Sequence, residues 1–232
     1  MNNMNLNFLA GLLHLSDPTL PIGGYSHSNG LETYVQKKIV HDRVTAKEFV
    51  ENMLQHNLKY NDGAFVKLAY EAVQNEDLAL LLELDRECNA LKCPREIRQA
   101  SQKLGLRLIK IFKRKENFSL MEAYEKAVSN REASSHYCIV FGMYAGLMKM
   151  PLHEALLGFY YTSVAGMITN AVKLVPLGQL DGQDILFSMY SAMEKTVLET
   201  IELERDLVGL CNTSFDIRCM QHENLYSRLY MS

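Results

Sequence analysis

The chain has 232 residues, 48% of them hydrophobic and 22% charged, with a formal net charge of −3. That is ordinary globular composition, and it gives no electrostatic reason to expect binding to nucleic acid. Five cysteines (Cys88, Cys93, Cys138, Cys211 and Cys219) make an odd set without CxxC spacing, which argues against a disulfide framework and fits a reducing cytoplasm.

Read in chain order, Met1-Asn2-Asn3-Met4-Asn5-Leu6-Asn7 carries no basic residue ahead of an apolar run, so it does not read as a signal peptide. Phe8, Leu9, Leu12, Leu13 and Leu15 follow at helical spacing. Thr45-Ala46-Lys47-Glu48 has a capping-box pattern, and Phe49, Met53, Leu54 and Leu58 continue a helix beyond it. Leu78, Leu81, Leu82, Leu84 and Leu91 predict another. Pro94 suits a first-turn position ahead of Ile97, Leu104, Leu108, Ile109 and Phe112. That helix ends in Lys110, Lys113, Arg114 and Lys115, cations that complement its dipole. Ser119-Leu120-Met121-Glu122 is a second capping-box pattern, and later helices are predicted over about His136–Met148, Leu152–Leu174 and Gln183–Leu210.

The apolar stretches Cys138–Met148 and Ala155–Ile168 are too short to span a bilayer and read as buried core helices. Gly142 and Gly146, one turn apart, suit a close helix–helix approach. No strand pattern appears, no fixed-period repeat and no low-complexity linker. The fold class expected is therefore all-α, one compact domain of about eight to ten helices.

No catalytic constellation emerges. There is no nucleophile elbow, no phosphate-binding loop and no HExxH pair, so no enzyme activity is expected. Two irregular segments interrupt the helices. The first, Ser16 to Ser28, combines Pro18, Pro21, Gly23 and Gly24 with Asp17, Tyr25, Ser26, His27 and Ser28, placing polar groups at the start of a helix. The second, Thr169 to Gln183, ends one helix at Pro176 and starts another near Asp181, a candidate N-cap. Asn170 and Lys173 there are placed to answer the last carbonyls of the first helix.

The final stretch, Arg218 to Ser232, is unusual for the end of a sequence. Met220, Leu225, Tyr226, Leu229, Tyr230 and Met231 would cost free energy in water unless covered. Either the tail folds back on its own core or it docks on a partner, and the Tyr and Arg content favours the partner.

These three segments together resemble the urease accessory protein UreF family. The family's N-terminal motif is matched by LHLSDPTLPIGGYSHSNGLE from Leu13 to Glu32, its central joint by NAVKLVPLGQLDGQ from Asn170 to Gln183, and its ending by DIRCMQHENLYSRLYMS from Asp216 to Ser232. The matches run from residue 13 to the last residue in the family's order. The resemblance implies a non-catalytic, cytoplasmic, all-helical homodimer that takes part in nickel insertion into urease. It would bridge UreD (UreH in some species) and the GTPase UreG, reaching the urease apoprotein through that complex, with no nucleic acid or membrane involved. It also implies a helical domain over residues 1–212 and a partner-docking tail over 213–232. The partner-contacting residues would be His222, Glu223, Tyr226, Ser227, Arg228, Leu229 and Tyr230 in the tail, with Tyr25, Ser26, His27 and Lys173 elsewhere. No resident cofactor and no tight metal site are expected. The competing reading is a nickel metallochaperone using His14, His27, His222 or Cys219, the last two being three residues apart.

Overall fold

A computed structural model describes residues 7–232. Residues 1–6, which make up most of the segment read above as lacking signal-peptide character, lie outside the described residues. The described chain is helical throughout and has no strand, as expected.

Twelve α-helical segments follow one another: α1 (Asn7–Leu15), α2 (Leu31–Gln36), α3 (Arg43–Met53), α4 (Ala64–Gln74), α5 (Leu78–Leu91), α6 (Arg95–Phe112), α7 (Ser119–Ser129), α8 (Tyr137–Leu147), α9 (Leu152–Leu174), α10 (Gln179–Ser188), α11 (Tyr190–Ile201) and α12 (Thr213–His222). A π-helical stretch, Leu54–Gly63, joins α3 to α4 as one rod, which leaves eleven separate helices. None of the described helices is long and apolar enough to cross a membrane.

Helix α8 is the axis of the core. Cys138 through Gly146 are all buried, so the helix is covered on every side. Its glycines permit this. A Cβ on Gly142 would lie 2.4 Å from the Val66 carbonyl oxygen, and one on Gly146 would lie 2.9 Å from Val73, so α4 and α8 meet nearly backbone to backbone. Helix α6 closes on α8 from another side, where a Cβ on Gly105 would fall 1.9 Å from the Ser135 carbonyl oxygen. Around this centre Phe141, Phe159 and Tyr160 stack edge to face.

Several local expectations shift. The cap of α3 is Asp42, not Thr45: the Asp42 carboxylate accepts the Thr45 N–H at 2.8 Å, and the Thr45 hydroxyl accepts the Asp42 N–H at 3.1 Å. The box is therefore real but begins three residues earlier. Ser119 is the first residue of α7 and gives no side-chain cap. Asp181 is not the N-cap of α10 but its third residue, reaching back to the Gly178 N–H at 2.9 Å. The single helix predicted over Gln183–Leu210 is broken into α10, α11 and a short turn at Arg205–Leu207.

A buried polar hub ties α5, α7 and the lead-in to α8 together. The Asp85 carboxylate, fully buried, accepts the Tyr124 hydroxyl at 2.9 Å, the His136 N–H at 3.0 Å and the Ser134 N–H. The His136 ring sits between Asn89 Oδ1 at 3.3 Å and Ser101 Oγ at 3.1 Å. Burial pushes the His136 pKa down to about 4, with Asp85 opposing and Lys92 adding to the fall. A depressed histidine pKa means the folded state holds fewer protons than the unfolded state between about pH 4 and 6.5. Its contribution is complete above about pH 6.5 and falls away as pH drops toward 4, by at most about 3 kcal/mol. We expect the stability gap between wild type and His136→Gln, followed by urea denaturation, to narrow from pH 7 to pH 4.5. A constant gap would place the proton elsewhere.

Candidate interaction site

The Ser16–Ser28 segment is held by its own turn chemistry. The exposed Asp17 carboxylate accepts the Thr19 N–H at 2.8 Å and the Thr19 hydroxyl at 2.7 Å; these bonds lower its pKa. Leu20 and Ile22 turn inward to the core. Gly23 adopts φ +88°, and a Cβ there would collide with the Arg107 guanidinium, which donates to the Ile22 carbonyl oxygen at 2.8 Å. The four polar handles of the segment then divide. Tyr25 points outward, 73% exposed, while the Ser26 hydroxyl returns to the Gly23 carbonyl at 2.8 Å. His27 and Ser28 are buried.

The final residues account for that burial. The Ser28 N–H and hydroxyl both donate to the Ser232 main-chain oxygen, at 2.6 and 2.7 Å. His27 Nδ1 lies 2.8 Å from the Ser232 hydroxyl, and the Met231 N–H donates to the Ser26 carbonyl at 2.9 Å. On the other side, the Asn170 amide donates to the His27 carbonyl at 2.8 Å. Asn170 was expected to serve its own helix end; it crosses to the N-terminal segment instead. Burial first, then Lys103 and Arg107, lower the His27 pKa, which favours its neutral form beside the serine. Three segments far apart in sequence thus meet at His27.

A second cluster clamps the tail. The Glu32 carboxylate in α2 accepts the Leu229 N–H at 2.7 Å and the Tyr230 N–H at 3.2 Å, and lies 3.1 Å from His222 Nε2. Glu96 in α6 meets His222 Nδ1 at 2.7 Å and the Arg228 guanidinium at 2.7 Å. Gln36 donates to the Ser227 carbonyl at 2.9 Å, and Arg95 pairs with Glu223 at 2.8 Å. Gly30, at φ +80°, makes room for α12: a Cβ there would fall 2.7 Å from Cys219 Sγ.

The predicted contact residues therefore separate into two sets. His222, Tyr230 and His27 are buried within this chain, where they hold the tail. Glu223 and Arg228 pair with the chain's own Arg95 and Glu96. Tyr226 is fully exposed, Leu229 70% exposed, and Ser227 and Met231 are also exposed, the Met231 N–H being bonded to Ser26 next to Tyr25. Lys173 is exposed on the last turn of α9 and makes no hydrogen bond or ion pair among the described residues. Cys219 and His222 have separate neighbours. The Cys219 thiol is buried against Gly30 with its pKa pushed up by burial, and both His222 nitrogens face carboxylates. His14 stacks on Phe112, with ring centroids 5.0 Å apart. Sequence reasoning missed Glu32 and Glu96 as tail clamps. Glu32 lay inside a recognised motif, but nothing in the Pro94-Arg95-Glu96 helix start pointed to a contact across the fold.

Behind His27 opens a cavity of about 420 Å³, bordered by Ile22 and His27, by Asn57 and Asp62 of the π-helical stretch, and by Phe159 and Phe215. In its wall Lys92 meets both Asp62 oxygens at 2.8 Å. Burial acts to lower the Lys92 pKa, but the Asp62 carboxylate more than reverses this and holds the ammonium charged.

The family model for UreF matches residues 40–190, which cover most of the fold between the first motif and the tail. The chain belongs to the UreF family. It is 49% identical over 224 residues to the urease accessory protein UreF of Actinobacillus pleuropneumoniae serotype 3 (strain JL03), covering 97% of this chain and 99% of that one. It is 46% identical over 230 residues to the protein of the same name from Haemophilus influenzae (strain PittGG), with 99% and 98% covered. A more distant relative from Bacillus sp. (strain TB-90), also named urease accessory protein UreF, is 31% identical over 227 residues, with 98% and 100% covered. For this UreF chain the match extends over both clamped segments, so the tail and its receptor lie within the aligned length.

Proposed function

We propose that this chain is a non-catalytic scaffold in the maturation of urease, acting in the cytoplasm during insertion of nickel into the apoenzyme. It would hold UreD/UreH through the tail face and position the GTPase UreG, acting as a homodimer. One observation carries the reading. Three separate segments, with no catalytic cluster among them, are built into one rigid seat at His27 that presents Tyr25, Tyr226, Leu229 and Met231 to solvent. Exposed tyrosines on a hydrogen-bonded platform are the composition of an interface anchor. On this reading the chain passes nickel within the complex and needs no tight metal site of its own.

The docking element is the 223–232 segment more than the whole 213–232 stretch, because Phe215 and Cys219 of α12 are part of the core. The test is co-purification with cognate UreD/UreH and UreG. Tyr226→Ala should weaken capture of UreD/UreH by at least tenfold, since a buried interface tyrosine is commonly worth about 2 kcal/mol, while the melting temperature stays unchanged. Undiminished capture by Tyr226→Ala and by a 223–232 deletion alike would rule the tail out as the docking face.

A further inference from the structure

Helix α6 carries Lys103, Arg107 and Lys110 at spacings of four and three residues, which keeps them on one face of the helix. Arg114 follows in the turn beyond its end, and all four are exposed. Other cations near the tail and the helix end do have partners: Arg95 and Arg228 each meet a carboxylate of the tail clamp, and the adjacent Lys113 pairs with Glu125 at 3.0 Å. Among the described residues none of the four in the stripe is paired with a carboxylate. Like charges at such spacings weaken a helix.

The helix dipole accounts for Lys110 and Arg114, but its effect fades within the last turn. Lys103 and Arg107 sit farther back and have no such explanation. Their position is specific. The Arg107 guanidinium is anchored on the Ile22 carbonyl, beside Gly23 and three residues before Tyr25 in sequence. Toward the start of the helix the same face reaches Glu96, seven residues before Lys103, which grips His222 and Arg228 of the tail. The stripe's helix is thus bonded at Arg107 to the segment that bears Tyr25 and at Glu96 to the tail that bears Tyr226, on a protein whose overall charge is −3.

We infer that the Lys103–Arg107–Lys110–Arg114 stripe is an electrostatic flank of the docking face and receives a carboxylate-rich surface on the protein that docks there. The inference rests on the scaffold reading above and adds the chemistry of the partner. Rim charges of this kind act chiefly on the rate of association and fade with salt.

The test is association with immobilised UreD/UreH and UreG by surface plasmon resonance between 50 and 500 mM NaCl. The variant is Lys103→Glu/Lys110→Glu/Arg114→Glu, with Arg107 left in place because it holds Ile22. A second variant, with glutamine at the same three positions, guards against a fold effect, which circular dichroism and melting would reveal. For at least one of the two proteins, association of the glutamate variant should be at least tenfold slower at 50 mM, with an intermediate loss for glutamine. The difference should shrink toward 500 mM, and dissociation should be little changed. Equal association rates at all salts, with wild type binding normally, would overturn the stripe alone. Failure of wild type to bind either protein would overturn the scaffold reading and this inference with it. Charge-dependent binding seen only with a single-stranded RNA 20-mer would replace the acidic protein with a different class of partner.

Discussion

Replacing Glu32 with alanine is expected to release the tail. The carboxylate is the acceptor for two backbone N–H groups, of Leu229 and Tyr230, and faces His222 Nε2. It is itself buried, so its removal takes the acceptor from the Leu229 and Tyr230 N–H groups and the partner from His222 Nε2, leaving Glu96 alone to meet His222 and Arg228. Breaking a buried charged hydrogen-bond cluster from one side costs roughly 3 to 5 kcal/mol. The remaining links are two bonds from Ser28 and one each through Ser26, His27 and Gln36, worth about 1 kcal/mol apiece. Without Glu32 the last residues are held only by a set of bonds comparable in total to the loss, and they open far more often than in wild type. Trypsin should therefore cut after Arg228 far faster in Glu32→Ala than in wild type, and the amides of residues 229–231 should exchange faster. Glu32→Gln, which keeps one acceptor oxygen, should fall between. Cleavage after Arg228 at the wild-type rate would mean that the clamp is not what holds the tail.

Asp85→Ala is expected to have the largest effect on the fold itself. Tyr124, Ser134 and His136 all donate to this one fully buried carboxylate, which joins α5 to α7 and to the lead-in to α8. Alanine leaves three donors unsatisfied and opens a hole beside α8. Costs of roughly 3 to 5 kcal/mol are usual for such a loss and are a large share of a domain's stability. Urea denaturation should show the midpoint falling sharply. Tyr124→Phe, which removes one donor and leaves the other two satisfied, should cost about 1 kcal/mol. If the two variants were equally destabilised, the hub would be contributing no more than a single bond.

The helices were legible where two signals coincided. Leu152–Leu174 was read to the residue because Pro151 fixes its start and the apolar rhythm runs unbroken to Pro176. The break between α10 and α11 was not legible: Met189 and its neighbours include no glycine or proline, and tertiary packing alone turns the chain there. The glycines at 142 and 146 did announce a close approach, and α4 makes it. The tail was harder. Beyond His222 it has no helical period, so nothing in the order of residues says which side chains face inward. The structure settles this by alternation of another kind: His222, Tyr230 and Ser232 turn toward Glu32 and His27, while Tyr226, Leu229 and Met231 turn away. The tail folds back on its own chain and still leaves Tyr226, Leu229 and Met231 exposed. The meeting of Asn170 with His27 depends on α9 crossing behind the first loop, a relation that one sequence without its fold does not contain.

The rod from Arg43 to Gln74 passes through ten residues of wider winding between Leu54 and Gly63. Each residue of an ordinary α-helix advances the chain by about 100° around its axis, and the π-helical winding advances it by less. The far half of the rod is therefore set at an angle that a uniform helix of the same length would not reach. Val66 and Val73 in that half are the residues that meet Gly142 and Gly146. The relaxed winding also turns the Tyr60 carbonyl to accept the Gly209 N–H at 2.7 Å. The stretch between Leu54 and Gly63 thus works as a gear. It re-phases one helix partway along, so that the wide turn itself, through Asn57, Leu58, Asn61 and Asp62, lines the cavity while the second half meshes with the glycine face of α8.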